Sequence, residues 1–276
     1  MCNRIMGKTI ITILVFNIMV LLSVYGNGNV DIVKSLESIA NKGNTNAQLD
    51  LGVIYFYGIY TSQDYKKALS WLEKAAKNGS AEAQQYTGEC YYDGLGTEKN
   101  NEKAFDLFEK SAMQNNKSAC GYLAEMYYTG EGTAKDYKKA FDFAKKASKQ
   151  SLNGKAQFLL GYMYFKGEGT TKDYNKAIYW VTKAAEQSWL ADAQLLLGTI
   201  YYKGEGVPQN NKLALRYLDA AAMQEKTEAL VLLAKMYYKG EGLPQDKTVS
   251  MFLLKKAAKS GNKKAKTLYK EYRLDK

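Results

Sequence analysis

Residues 156–185 read AQFLLGYMYFKGEGTTKDYNKAIYWVTKAA, and this stretch decides the fold because the chain repeats its pattern six times. The alanine that opens the pattern recurs in steps of 36 or 37 residues. The starting residues are Ala47, Ala83, Ala119, Ala156, Ala193 and Ala229, with an incomplete seventh copy from Ala265. A constant period of this length is typical of a solenoid, in which each unit buries its apolar face only by stacking on a neighbour. A solenoid offers a long surface rather than a reaction pocket, so the pattern favours binding over catalysis.

Each unit predicts a pair of helices, which we call helix A and helix B. In the fourth unit, Leu160, Gly161 and Tyr164 share one face of helix A. The glycines within residues 166–169 end that helix because they accept a left-handed backbone turn. Asp173 then stands where a cap for the first amides of helix B is needed.

Three positions keep their chemistry in every unit. The predicted caps of helix B are Asp64, Asn100, Asp136, Asp173, Asn210 and Asp246. The small residues midway along helix A are Gly52, Gly88, Ala124, Gly161, Gly198 and Ala234. The core tyrosines are Tyr55, Tyr91, Tyr127, Tyr164, Tyr201 and Tyr237. A small residue at the middle position predicts that helix B approaches helix A closely.

The pattern Ala-x3-Leu-Gly-x2-Tyr-x2-Gly-x-Gly, then Asp-Tyr-x-Lys-Ala, then Trp-x3-Ala-Ala, resembles the Sel-1-like repeat family, which is related to tetratricopeptide repeats. The fourth unit carries it at Ala156, Leu160, Gly161, Tyr164, Gly167, Gly169, Asp173, Tyr174, Lys176, Ala177, Trp180, Ala184 and Ala185. The resemblance implies an all-α fold, a right-handed α-solenoid superhelix of stacked antiparallel helix pairs, and a role as a scaffold or adaptor that binds protein or peptide partners. The first unit departs from the pattern at Tyr60, which replaces the second glycine, so we expect that loop to be reshaped.

The predicted organisation has four segments. Residues 27–46 hold a lone helix B that caps the front, residues 47–264 hold the six repeats, and residues 265–276 hold a lone polar helix A that closes the back. Residues 1–26 precede them, with Arg4 and Lys8 before an apolar stretch, as in a secretory signal peptide. Cleavage before Asn27 predicts a secreted or periplasmic protein. The alternative is an uncleaved membrane anchor formed by residues 9–25.

The charge of the chain argues against nucleic acid as the partner. The net charge is +11, but only Arg4, Arg216 and Arg273 are arginines. Recognition of bases and phosphates depends strongly on arginine forks, so a lysine-rich chain is better explained by a solvated surface. We expect a monomer whose partner is a protein or peptide, with no nucleic acid and with membrane contact only if residues 9–25 stay attached.

The absence of histidine argues against an enzyme. It removes Ser-His and Cys-His catalysis and most metal sites, so we predict no catalytic residue, no cofactor and no metal. The alternative is a cell-wall or β-lactam-acting enzyme, since cysteine-rich relatives of the family are often labelled β-lactamases. Here only Ser260 and Lys263 match a Ser-x-x-Lys pair, and no Ser-Asp-Asn or Lys-Thr-Gly accompanies them.

The cysteines predict no structural disulfide, and the alternative is a Cys90–Cys120 bridge between neighbouring A helices. Cys90 occupies a helix A position that is apolar in the other units, which indicates a small buried side chain. Cys120 occupies the position that is bridged in the cysteine-rich relatives, but the partner position eight residues earlier is Ala112.

The candidate binding site is an aromatic ladder on helix A, formed by the residue after each core tyrosine. Its members are Phe56, Tyr92, Tyr128, Phe165, Tyr202 and Tyr238, joined by Tyr162 three residues before Phe165. Helix A lines the concave face in solenoids of this class, so these rings are predicted to face the groove, where aromatics with polar tips favour binding hot spots. The alternative is that the rings cover the glycine loop or pack between neighbouring A helices.

Overall fold

The computed structural model describes residues 32–149 and 153–274, and within these ranges it contains helices joined by turns and no β-strand. The chain divides into two compact units, with the boundary between Lys146 and Ala147. The predicted signal segment 1–26 and its alternative, an anchor at 9–25, lie outside the described residues.

The first unit is built from a chain of seven helices. They are α1 (Ile32–Asn41), α2 (Thr45–Tyr57), α3 (Tyr65–Lys77), α4 (Ala81–Asp93), α5 (Asn101–Met113), α6 (Lys117–Thr129) and α7 (Tyr137–Ala147), which ends at the boundary. Helices α2, α4 and α6 are A helices, and the others are B helices. Each helix from α1 to α6 packs on the next, and Tyr127 of α6 stacks on Phe143 of α7 with ring centroids 5.7 Å apart.

The second unit repeats the same order. Its helices are α8 (Gly154–Lys166), α9 (Tyr174–Gln187), α10 (Ala191–Lys203), α11 (Asn211–Met223), α12 (Thr227–Lys239), α13 (Lys247–Lys259) and α14 (Lys263–Leu274). Helices α8, α10, α12 and α14 are A helices, and each helix packs on the next one in the chain. The all-α fold of stacked helix pairs predicted from the sequence is therefore present in each unit.

The A helices end where the glycines predict. Gly167, with φ of +76°, donates its backbone N–H to the carbonyl oxygen of Met163 at 2.8 Å, and this bond closes the last turn. Tyr60 replaces the second loop glycine but still adopts a φ of +60°, close to the +72° of Gly96. The expectation that Tyr60 reshapes the first loop is therefore wrong. The first repeat keeps the loop conformation with a tyrosine in the left-handed region, at a cost of roughly 1–2 kcal/mol of local strain.

The predicted caps of helix B are in place. Asp64, Asn100, Asp136, Asp173, Asn210 and Asp246 each accept a hydrogen bond from the backbone N–H three residues later, at 2.9–3.0 Å. The A helices are capped less uniformly. Asn44 and Asn153 cap theirs in this way, whereas Leu190 and Lys226 offer no side-chain cap to α10 and α12.

The small residue midway along helix A allows the close approach of helix B. A Cβ placed on Gly198 would lie 2.6 Å from Cγ of Leu218, and one on Gly161 would lie 2.9 Å from the backbone nitrogen of Val181. Leu218 and Val181 are fully buried. In these two helix pairs, helix B therefore occupies the space that a side chain on helix A would need.

Candidate partner-binding face

The core tyrosines join each A helix to the B helix before it. The hydroxyl of Tyr55 donates to Glu37 at 3.0 Å, and the hydroxyl of Tyr127 donates to Glu109 at 3.3 Å. Tyr91 makes the equivalent bond to Glu73, 18 residues earlier in the chain. In the first unit these bonds hold each A helix against the B helix that precedes it.

In the first unit the ladder residues contact aromatic neighbours. Phe56 is only 8% exposed and packs edge-to-face on Tyr65, the first residue of α3 (5.4 Å), and against Tyr86 of α4 (5.5 Å). Tyr92 is half-buried, lies 5.8 Å from Tyr122 of α6, and donates its hydroxyl to Glu131 at 3.1 Å.

Tyr128 follows the same rule as Phe56. It is half-buried, and its ring lies 5.3 Å from that of Tyr137, the first residue of α7. The first residue of helix B therefore covers one side of the ladder ring in both places.

In the second unit the ladder residues are half-buried too. Phe165 packs on Tyr174, the first residue of α9, at 5.8 Å, and Tyr238 stacks on Tyr272 of α14 at 3.7 Å. Burial and the carboxylate of Glu241 raise the pKa of Tyr202 to about 12, so its hydroxyl stays protonated as a donor.

Tyr162 is also half-buried and lies 5.9 Å from Phe158 on the same helix. The structure thus buries Phe56 and leaves the other six predicted site residues half-buried, between core and solvent. The role of these rings in binding remains a prediction.

The A-helix position occupied by Tyr162 carries different chemistry in the two units. In the first unit it holds Val53, Glu89 and Glu125, and in the second unit it holds Tyr162, Thr199 and Lys235. Burial, together with the charges of Lys264 and Lys239, lowers the pKa of Lys235. The same position in the repeat therefore carries a negative charge in two repeats of the first unit and a positive charge in one repeat of the second unit.

Tyrosines in the first unit respond to these carboxylates. Burial raises the pKa of Tyr122, and the charge of Glu89 and a hydrogen bond to Glu89 raise it further. Burial likewise raises the pKa of Tyr92, as do Glu125 and Glu131. Both hydroxyls therefore stay protonated in the folded protein and serve as hydrogen-bond donors to the carboxylates.

Asp50 on α2 belongs to the same surface. Its carboxyl is partly buried, and burial together with the nearby charge of Glu82 raises its pKa to about 6. A raised pKa means that the folded protein holds this carboxylate at a cost in free energy.

The thiols match their predicted role. Cys90 and Cys120 are buried and unbonded, and burial raises the pKa of Cys90 to about 12. Both therefore resist ionisation and act as small apolar side chains.

The Ser-x-x-Lys match serves to end one helix and start the next. The hydroxyl of Ser260 donates to the carbonyl oxygen of Lys256 in its own helix at 3.4 Å, and Asn262 caps the helix that Lys263 opens. Among the residues that the structure describes, no group of three or more acidic or cysteine side chains is arranged to hold a metal ion.

A glutamine contact that was not predicted from the sequence links the repeats. Gln84 donates to the carbonyl oxygen of Ala76 at 3.3 Å and accepts from Gln114 at 2.9 Å, so it joins helix α3 to the turn after α5. Gln194 makes the same pair of bonds to Ala185 and Gln224. The available signal was a glutamine after the starting alanine in four of the six units.

None of the described helices has the length and apolar character required to cross a bilayer.

Comparisons with known proteins place the chain in a family. The family model for the Sel1 repeat matches residues 45–80, 81–116, 117–152, 154–189, 191–226 and 227–262. No curated protein matches the chain at a significant level.

Two solved structures share both fold and sequence with the chain. One is c5321, a protective antigen of uropathogenic Escherichia coli with an SLR fold, which is 32% identical with a TM-score of 0.74; the match covers 88% of this chain but 51% of that one. The other is a Sel1 repeat protein of Oxalobacter formigenes, which is 33% identical with a TM-score of 0.69 and covers 87% of this chain and 69% of that one. The chain thus spans about half the length of the antigen. With six matched repeats and two relatives that share its stacked helix pairs, the chain belongs to the Sel1 repeat family.

Proposed function

We propose that the chain is an exported scaffold that binds a protein or peptide partner on the concave face that its A helices are predicted to line. Sel1 repeat proteins generally serve as scaffolds for protein interaction rather than as catalysts, and the proposal adds export and a binding face. The observation that carries it is that the aromatic side chain after the core tyrosine is half-buried in five of the six repeats, and that Tyr128 and Phe165 each pack on the first residue of helix B.

The physical basis is preorganisation. A ring that is already held by a neighbour, as Tyr128 is by Tyr137, loses little conformational freedom when a partner covers its other side. Such rigid aromatics contribute more to binding than their number suggests, because they supply large contact areas in fixed positions. Export is supported by the basic start and the apolar stretch of residues 1–26.

Alanine substitution of two ladder residues tests the binding face. Immobilised chain would capture partners from the secreted and periplasmic fractions of its host, and captured proteins would be quantified by mass spectrometry. Y128A and F165A together should reduce the main captured species at least tenfold. The matched control is Y179A with F252A, which removes two exposed rings from B helices.

The melting temperature must be measured beside capture. If the ladder variant melts several degrees lower and still captures the same partner in the same amount, the ladder is packing and the proposed face is wrong. Amino-terminal sequencing of the native protein tests export separately. A start near Asn27 supports cleavage and secretion, whereas a start at Met1 in the membrane fraction supports an anchor.

A further inference from the structure

The A helices of the first unit carry a connected surface of carboxylates and tyrosines. We call it the acidic face and define it by Asp50, Tyr57, Glu89, Asp93, Tyr122 and Glu125. Asp93 is exposed and the other five are half-buried, so the surface is open to solvent along three neighbouring helices.

Side-chain interactions join these residues across the repeats. The hydroxyl of Tyr122 on α6 bonds to Glu89 on α4, and Glu89 also accepts from Gln85. Tyr57 on α2 bonds to Tyr86 on α4. The face is therefore one network that spans α2, α4 and α6 rather than a set of scattered charges.

Three of the four carboxylates of this network lack a cation partner. Within the described residues, Asp50, Asp93 and Glu125 have no lysine or arginine at ion-pair distance. Lys99 lies beside the face, where its ammonium is 5.1 Å from the ring centroid of Tyr92. The chain has 39 basic and 28 acidic residues, so this shortage is local and not a matter of composition.

The second unit shows that the charge is not required by the fold. The position of Asp93 is taken there by Lys166, Lys203 and Lys239, and the position of Glu125 by Tyr162, Thr199 and Lys235. In both units the A helices end at equivalent glycines and the B helices begin at equivalent caps. Negative charge at these positions therefore serves something other than folding.

We propose that the acidic face docks an extended, lysine- or arginine-rich segment of a partner protein. This inference rests on the proposed scaffold function and names the chemistry of its ligand. Carboxylates that are already partly desolvated gain most from an incoming cation, because the local dielectric is lower than that of water. Tyrosine rings beside them offer additional cation–π contacts to the same side chains.

The geometry of stacked helices sets the spacing of the ligand's charges. Packed helices lie about 8–10 Å apart, and an extended chain advances about 3.3 Å per residue. A segment that crosses α2, α4 and α6 therefore presents one cation to each helix when its basic residues stand about three residues apart.

Fluorescence anisotropy with defined peptides tests the proposal on the full chain. The probe is a fluorescein-labelled peptide of sequence GKAGKAGKAG, compared with its glutamate and serine counterparts at 20 mM and 300 mM salt. The lysine peptide should bind at 20 mM salt, lose at least tenfold in affinity at 300 mM, and bind at least tenfold tighter than either counterpart.

Matched variants locate the site. E89Q with E125Q keeps the shape and hydrogen-bonding capacity of the face and should weaken binding of the lysine peptide at least tenfold. E102Q with D106N changes the net charge by the same amount on exposed residues of the B helix α5 and should leave binding within twofold. Circular dichroism must show that both variants keep the helical content of the parent chain.

Several outcomes would overturn the inference. These are equal weakening by the two variants, equal binding of the serine peptide, or no binding at 20 mM salt. Sedimentation that shows reversible self-association at low salt, abolished by E89Q with E125Q, would assign the face to a second copy of the chain and also overturn it. If a partner is captured through the ladder but does not compete with the lysine peptide, this inference fails and the proposed function stands. If no partner is captured at all, the proposed function fails.

Discussion

Replacing Asp50 with asparagine should make the protein more stable at neutral pH and leave its stability unchanged at pH 4. The carboxyl of Asp50 has its pKa raised from 3.8 to about 6, first by burial and second by the charge of Glu82. A raised pKa means that the folded protein binds the proton more tightly than the unfolded chain does. The contribution of this group to stability is therefore most favourable below pH 4 and is lost as the pH rises to about 6.

The shift sets the size of the effect. A difference of about two pKa units corresponds to roughly 3 kcal/mol at about 1.36 kcal/mol per unit. The side chain is still partly exposed, and solvent screens its interactions, so we expect about 1–2 kcal/mol. For a cooperative unit of this size, that gain corresponds to a rise of about 3–6 °C in melting temperature at pH 7.

Thermal and urea unfolding of D50N and of the parent chain, at half-unit steps from pH 4 to pH 7.5, measures the difference directly. Subtracting the two curves removes the titration of all other groups. D93N is the control, since Asp93 is an exposed residue of the same face. The reasoning is refuted if D50N differs from the parent by the same amount at pH 4 and pH 7, or if it is the less stable protein at pH 7.

Three further predictions follow from contacts in the two units. G198A should destabilise the chain by about 1–2 kcal/mol because the new methyl group meets Leu218. In urea unfolding, the double variant G198A/L218A should be at least about 1 kcal/mol more stable than the sum of the two single changes predicts. Additive effects of the two changes would contradict the contact. N210A should cost about 1 kcal/mol of unfolding free energy through loss of the cap on α11, whereas N210D, which keeps an acceptor, should be nearly neutral in the same measurement. In a chain with Cys2 replaced by serine, Cys90 and Cys120 should resist a thiol reagent at pH 8 and react only on unfolding. The reason is that burial raises the pKa of both thiols. Rapid labelling of the native protein would contradict this and show that these helices open.

Residues that recur in every repeat made most of the fold predictable. The caps of helix B, the glycines that end helix A and the small residue between the helices each act within one repeat, so spacing alone reveals them. Tyr60 was misjudged because the sequence shows that a glycine is missing but not that the surrounding loop holds its replacement in the same left-handed conformation.

The ladder was predictable in position but not in environment. That Tyr128 follows a core tyrosine is visible in the sequence, whereas its contact with Tyr137 depends on how helix B enters the repeat. The bond between Glu89 and Tyr122 is harder to predict from the sequence, because it joins residues of different repeats that share no motif. Predicting it requires the register in which one A helix lies beside the next.

Shared and variable positions of the repeat therefore carry different tasks. Leu123 and Leu197 occupy one shared position on α6 and α10 and are both fully buried, while the variable position two residues later holds Glu125 in one and Thr199 in the other. That position is half-buried in every repeat but the first, where Val53 belongs to the core, so in the other repeats its charge can change without disturbing the helix ends or the small contacts between helices. A surface of this kind acquires a preference for a ligand one repeat at a time, at little cost to folding. Within the described residues, Asp50, Asp93 and Glu125 lack ion-pair partners although the chain is rich in lysine, which is what we expect of a surface that binds a basic segment.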